Sequence, residues 1–197
     1  DLKVTLDHFY GIEIDEWPAR IAETAMFMID RQCDLKLRDR FGQAPERLPI
    51  QREAKIVVGN ALRTEWESLL PPTPDVVVAG NPPFLGISGR SAAQTADLQR
   101  VWGSGYHGSL DYVTGWYARA IEYFGAKGGR FAYVSTNSIT QGEPVGPLFR
   151  PILDAGWRIR FAHRTFPWTS DASGKAAVHC TIIGFDRGGT PARLFDS

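Results

Sequence analysis

Asn81, Pro82, Pro83 and Phe84 place an amide side chain, two ring-locked backbone units and an aromatic face in four consecutive positions. The two prolines fix φ and remove two backbone donors. Asn81 and Pro82, each preceding a proline, are pushed away from helix. The segment is therefore a stiff peptide whose carbonyls and one amide point in set directions. An amine conjugated to an aromatic ring, as in adenine, is a poor nucleophile because its lone pair is delocalised into the ring. Two acceptors, a side-chain amide oxygen and a main-chain carbonyl, can hold its hydrogens and favour a more tetrahedral nitrogen. The Phe84 face can stack on the ring and set its plane. Asn, Pro and Gly also punctuate ordinary loops, so the tetrapeptide takes its meaning from what flanks it.

Asp75-Val76-Val77-Val78-Ala79-Gly80 precedes it, a short apolar β-branched run that reads as a buried strand. A strand thus delivers the four residues at its carboxyl end, the edge where open α/β sheets bind ligands. Upstream, Phe9-Tyr10-Gly11-Ile12-Glu13-Ile14-Asp15 reads as a strand ending in acids, and residues 1–7 as a polar tail without a hydrophobic start. Asp15 suits an N-cap, with Glu16 and Pro18 in the first helical turn. Trp17, Ile21, Ala25, Met28 and Ile29 recur at helical spacing and predict one buried face. Lys36, Arg38 and Arg40 suit the helix's carboxyl end, and Gly42 and Pro45 stop it. In nucleoside-binding α/β folds a carboxylate at a strand tip accepts both ribose hydroxyls. Glu13 is the candidate for that role, with Ile14 beside it to pack on an adenine face, whereas Asp15 reads as a helix cap.

Residues 54–62 form the next strand, ending at Asn60, by itself a turn residue able to accept and donate. After the tetrapeptide, residues 85–108 are rich in Gly, Ser, Ala and Gln, the composition of a lid or substrate loop, within which Ala92–Trp102 suits a short helix. Leu110, Val113, Tyr117, Ala120, Ile121 and Phe124 repeat at helical spacing until Gly125, Gly128 and Gly129. Arg130 to Ser138 reads as a strand into a polar turn, and Pro147 to Leu153 as a short helix. Trp157 to Arg164 alternates as a strand with one wet, basic face. Phe166-Pro167-Trp168 then opens a loop through Asp171, Ser173 and Gly174. Ala176–Phe185 is the last central strand, the partner of a hairpin.

The composition sets limits. A chain of 197 residues with 43% hydrophobic and 12% aromatic residues can build one sizeable core. It has no apolar run of membrane-spanning length and no signal-peptide pattern. Cys33, Cys180 and four histidines show neither metal-ligand nor disulfide spacing, so a reduced, cytoplasmic protein without a metal is expected. With 22 basic and 22 acidic residues, the chain lacks the basic excess of a domain that grips DNA alone. DNA, if it is the partner, would be held mostly by other domains.

Taken in order, these segments resemble motifs II to VIII of amino-methyltransferases that use S-adenosylmethionine, above all adenine-specific DNA methyltransferases. Gly-Ile-Glu-Ile-Asp resembles motif II, Asn60 with Ala61 motif III, and Asn-Pro-Pro-Phe motif IV. Asp111-Tyr112 resembles motif V, the Thr136-Asn137-Ser138 turn motif VI, and Phe166-Pro167-Trp168 motifs VII to VIII. The wording is most similar to the methyltransferase part of MmeI-like restriction–methylation enzymes (Type IIG). The resemblance implies a Rossmann-like methyltransferase fold, α/β with a doubly wound, mostly parallel sheet. Residues 1–197 would form a single partial catalytic domain with 85–108 as lid. The Gly-rich motif I strand is missing from the chain, and the piece alone is expected to be inactive.

The implied activity is transfer of a methyl group from S-adenosylmethionine to a flipped adenine in double-stranded DNA, within a restriction–modification protein. Asn81, Pro82, Pro83 and Phe84 would be catalytic; Glu13, Ile14, Asn60 and Ala61 would hold the cofactor. Phe84, with Trp168 or Phe166, would sandwich the base. A protein glutamine methyltransferase and an inactive binding module remain alternatives. Exposed strands leave self-association between copies open.

Overall fold

The computed structural model describes residues 3–43, 52–168 and 178–196. The chain divides into two units, Asp1–Leu70 and Pro71–Ser197. In the first, strand β1 (Tyr10–Glu13) pairs in parallel with β2 (Lys55–Val58), in the register Tyr10–Lys55 to Glu13–Val58. Helix α1 (Glu16–Phe41) connects them and packs on both, and a four-residue helix α2 (Trp66–Leu69) follows. Asp15 stands at the α1 N-cap position, although its side chain makes no capping hydrogen bond there. Gly42 ends the helix in the left-handed region at φ 75°, its N–H bonding Arg38 O at 2.7 Å; only a residue without Cβ turns there cheaply.

Two expectations fail in this unit. The stripe predicted to be buried faces outward: Trp17 is 75% exposed, Ile21 54%, Met28 60% and Ile29 53%. The inward face carries Ala19 and Asp34, both buried, with Ala22, Met26 and Phe27 half-buried between them. Apolar residues recur on both sides of α1, and periodicity alone does not choose between two such stripes. Residues 1–7 are not a plain polar tail either. Thr5 and Leu6 are buried, Leu6–His8 is a 3-10 turn, and Arg52 donates to Thr5 Oγ1 at 2.8 Å.

The second unit holds a five-stranded sheet in the order β3-β4-β6-β5-β7. The strands are β3 (Val77–Gly80), β4 (Arg130–Thr136), β5 (Arg158–Trp168), β6 (Val178–Asp186) and β7 (Arg193–Phe195). β3 with β4 and β5 with β7 are parallel; β6 runs antiparallel to both β4 and β5. With β1–β2 counted, three of the five pairings among the described residues are parallel, so the sheet structure is α/β and mostly parallel. The helices are α3 (Ala92–Trp102), α4 (Thr114–Phe124) and α5 (Val145–Asp154). An aromatic core joins α4 to the sheet. Phe131 stacks on Phe185 at 4.9 Å, Trp157 meets Phe131 at 4.8 Å, and Tyr117 stands edge-on to Phe131, Tyr133 and Phe185. On β6, Gly184 leaves room for the Phe161 ring, which a Cβ would strike.

β3 is not the buried strand its sequence suggested. It lies at the end of the sheet, paired only with β4 among the described residues, and Val77 is 60% exposed. β5, in contrast, is longer than expected and absorbs Phe166, Pro167 and Trp168, which the sequence pattern places at the opening of a loop. These pair with Cys180, His179 and Val178 after an irregularity between His163 and Phe166. Among the described residues β7 pairs with β5 only from Phe161 to His163, so Pro167 is paired there on the β6 side alone. The loop expected through Asp171, Ser173 and Gly174 lies outside the described residues. The 85–108 segment is largely ordered. Ser91 and Gln94 form a reciprocal capping box (Gln94 N to Ser91 Oγ 3.2 Å, Ser91 N to Gln94 Oε1 2.8 Å) that starts α3, and Leu98 and Trp102 bury it.

Candidate active site

In the second unit Asn81 leaves β3 directly. Pro82 is buried, Phe84 half-buried, and Asn81 and Pro83 exposed. The Asn81 side chain has no hydrogen-bond partner among the described residues, so its carbonyl oxygen is free to accept. The far end of the segment is pinned: Leu85 O accepts from Tyr112 N at 3.1 Å. One stiff peptide is thus held at a strand end, by a buried ring and by a backbone hydrogen bond, with its amide left outside.

Asp111 precedes that anchor. It is buried, and Oδ1 accepts from Val113 N at 3.2 Å, while Thr136 Oγ1 lies 3.5 Å from Oδ2. Thr136 in turn bonds Ser138 Oγ at 2.7 Å at the carboxyl end of β4. A cavity of about 170 Å³ opens here, lined by Gly86, Ile87, Ser109, Asp111, Ser138, Ile139 and Pro144. Ser109 and Pro144 carry no motif signal in the sequence; the folding back of residues 85–112 brings Ser109 in, and the start of α5 brings Pro144.

Phe166 and Trp168 reach the same sheet edge. β5 is antiparallel to β6 and β6 to β4, so β5 runs with β4. Register makes a row of Thr136, Cys180 and Phe166. Three strand spacings, roughly 14 Å in all, separate β3 from β5. The hydroxyls beneath the site are held in the neutral form: burial pushes the Tyr117 and Tyr133 phenols upward, against a weaker opposite pull on Tyr117 from Ser135, 2.8 Å away.

In the first unit, Glu13 and Asn60 meet at one end of two parallel strands. Glu13 O accepts from Gly59 N at 2.7 Å, one residue before Asn60. The Glu13 carboxylate has no side-chain partner among the described residues, and Ile14 is exposed beside it. Asn60 Oδ1 accepts from Leu62 N at 2.9 Å, which folds the turn, and Ala61 O receives the Trp66 indole N–H at 2.9 Å. Among the described residues no cluster of His, Cys, Asp or Glu is arranged to hold a metal ion, and no helix is long and apolar enough to cross a membrane.

Residues 1–196 match the family described as MmeI, DNA-methyltransferase domain. DNA methyltransferase A of Bacillus subtilis (strain 168) is 34% identical over 186 residues, 92% of this chain and 21% of that protein. The structure of the Type IIL restriction-modification enzyme MmeI in complex with DNA is similar over the whole chain, with a TM-score of 0.88 and 41% identity, and the chain covers 27% of it. A putative class I S-adenosylmethionine-dependent methyltransferase from Listeria monocytogenes shares the fold at a TM-score of 0.57 and 12% identity, over 95% of this chain and 48% of that one. The chain therefore spans about a fifth to a quarter of the first two relatives.

Proposed function

The chain belongs to the MmeI DNA-methyltransferase domain family, and from that footing we propose that it is the core of an adenine-specific DNA methyltransferase within a restriction–modification protein. The observation that carries this reading is the unbonded, exposed Asn81 amide between β3 and the buried Pro82 ring. Asn81 Oδ1 and the Pro82 carbonyl accept the two hydrogens of the adenine amine and turn its lone pair out of the ring. Phe84 stacks on one face of the base, and Phe166 or Trp168, on the same sheet edge, offers a ring for the other.

The donor set of the first unit fits S-adenosylmethionine. A carboxylate without a protein partner at Glu13 suits a pair of ribose hydroxyls, exposed Ile14 suits an adenine face, and Asn60 with Ala61 supplies amide groups. When bound, the cofactor supplies an electrophilic methyl group on a positively charged sulphur. The residues need no strong base, because the methylated amine releases its proton to water. Orientation and exclusion of solvent carry the acceleration.

Double-stranded DNA is the proposed partner, gripped through further domains of a larger cytoplasmic protein, in keeping with the balanced charge of this chain. The test, in a longer protein carrying this domain, is transfer of labelled methyl from S-adenosylmethionine to DNA and, in parallel, to glutamine-containing peptides. Label in N6-methyladenine supports the reading; label in peptide alone, or in neither, overturns it.

A further inference from the structure

Arg90 lies in the segment between Phe84 and α3, and its guanidinium faces no carboxylate among the described residues. It donates instead to backbone carbonyls across the neck of the loop: Nη1 to Leu110 O at 2.7 Å and Nη2 to Gly108 O at 3.4 Å. Its Nε is buried without a partner. A charge committed to two neutral carbonyls, with one donor left dry, carries a desolvation cost that a solvated arginine avoids. The arrangement is favourable where the two strands of the neck must stay at a fixed separation. Those strands carry opposite walls of the 170 Å³ cavity, Gly86 and Ile87 on one, Ser109 and Asp111 on the other. The neck also ends in the hydrogen bond from Tyr112 N to Leu85 O, one residue past Phe84.

We propose that Arg90 is a positioning residue: by bridging Leu110 and Gly108 it holds the neck closed and so fixes the Leu85 end of the Asn81–Phe84 peptide. Its catalytic consequence rests on the methyltransferase reading; its structural consequence does not. Two variants, Arg90→Ala and Arg90→Lys, separate the cases. The first measurement is amide hydrogen exchange at Tyr112 and residues 85–89 in this chain, with thermal midpoints recorded in parallel. Arg90→Ala speeds exchange there about tenfold or more while the strands β4 and β6 keep their protection, and Arg90→Lys restores part of it. Millimolar guanidinium ion, too dilute to denature, slows the Ala variant's exchange again by refilling the gap.

The second measurement is methyl transfer in a longer protein carrying this domain. Arg90→Ala raises KM for DNA and lowers kcat, and guanidinium rescues both, which a mere loss of folded protein does not do. Unchanged exchange at Tyr112 in Arg90→Ala, or a loss of protection spread evenly over β4 and β6, overturns the clamp. Absence of methyl transfer in the wild type overturns the functional reading alone and leaves the exchange result to decide the role of Arg90.

Discussion

Leu85 O and Tyr112 N are 3.1 Å apart, although the whole Gly/Ser-rich excursion with α3 lies between them in the chain. That contact ties the first residue beyond Asn81–Phe84 to the turn that carries Asp111. The Asn81–Phe84 peptide is therefore fixed at both ends while its amide stays unbonded among the described residues.

Asn81→Ala removes an exposed amide that holds nothing in the protein. Stability should change by no more than about 0.5 kcal/mol. Methyl transfer should fall by a factor of roughly 10² to 10³, the usual loss when one preorganised hydrogen-bonding group is removed from a reacting centre. Thermal unfolding and initial rates on DNA check both halves; near-full activity in the variant would sink the role of Asn81.

Glu13→Gln keeps the shape and removes the charge at the tip of β1. Hydrogen bonds to charged groups contribute about 1.5–3 kcal/mol. Affinity for S-adenosylmethionine should thus weaken about ten- to a hundredfold, with the fold unchanged because the β1–β2 contact there uses Glu13 O rather than its side chain. Calorimetric titration of a cofactor-binding protein carrying this domain provides the measurement.

Tyr117 and Tyr133 are fully buried, and burial raises both phenol pKa values above the ordinary 10.0. Above pH 10 the unfolded chain loses these protons while the folded one keeps them. The native state then holds more protons, so stability is intact below pH 10 and declines as pH rises beyond it. Phenolate absorbance should show Tyr117 and Tyr133 ionising only as the protein unfolds, a step lost in Tyr117→Phe and Tyr133→Phe variants.

Gly184→Ala puts a methyl group into the Phe161 ring, which must move while its strand remains paired on both sides at that point. Overpacking of this kind costs about 1–3 kcal/mol. Urea unfolding should show the loss, and Gly184→Ala combined with Phe161→Leu should recover part of it.

Much of this was legible in the sequence. The strand ends at Glu13 and Gly80, the Gly42 helix stop and α3 itself follow from local chemistry, since caps, glycines and β-branched runs act within a few residues; β2 is shorter than expected and stops at Val58, leaving Asn60 in the turn beyond it. The misreadings share a cause. α1 carries apolar residues on two faces, so which one is covered depends on β1 and β2, not on spacing. Val76–Val78 has a core strand's composition but stands at the sheet's end. Pro167 reads as loop by its ring, whereas its place in β5 depends on pairing with His179 of β6. Ser109 and Arg90 enter the site only through long-range closure of the neck. Each is a property of partners distant in sequence.

The closed neck has an evolutionary consequence. The excursion leaves and returns at one hydrogen-bonded point, but α3 inside it packs on α4, with Trp102 Nε1 donating to Thr114 Oγ1 at 3.2 Å, so change in length is tolerated best on its exposed face. Variation confined to that face would leave Asn81 where it is, at the end of β3.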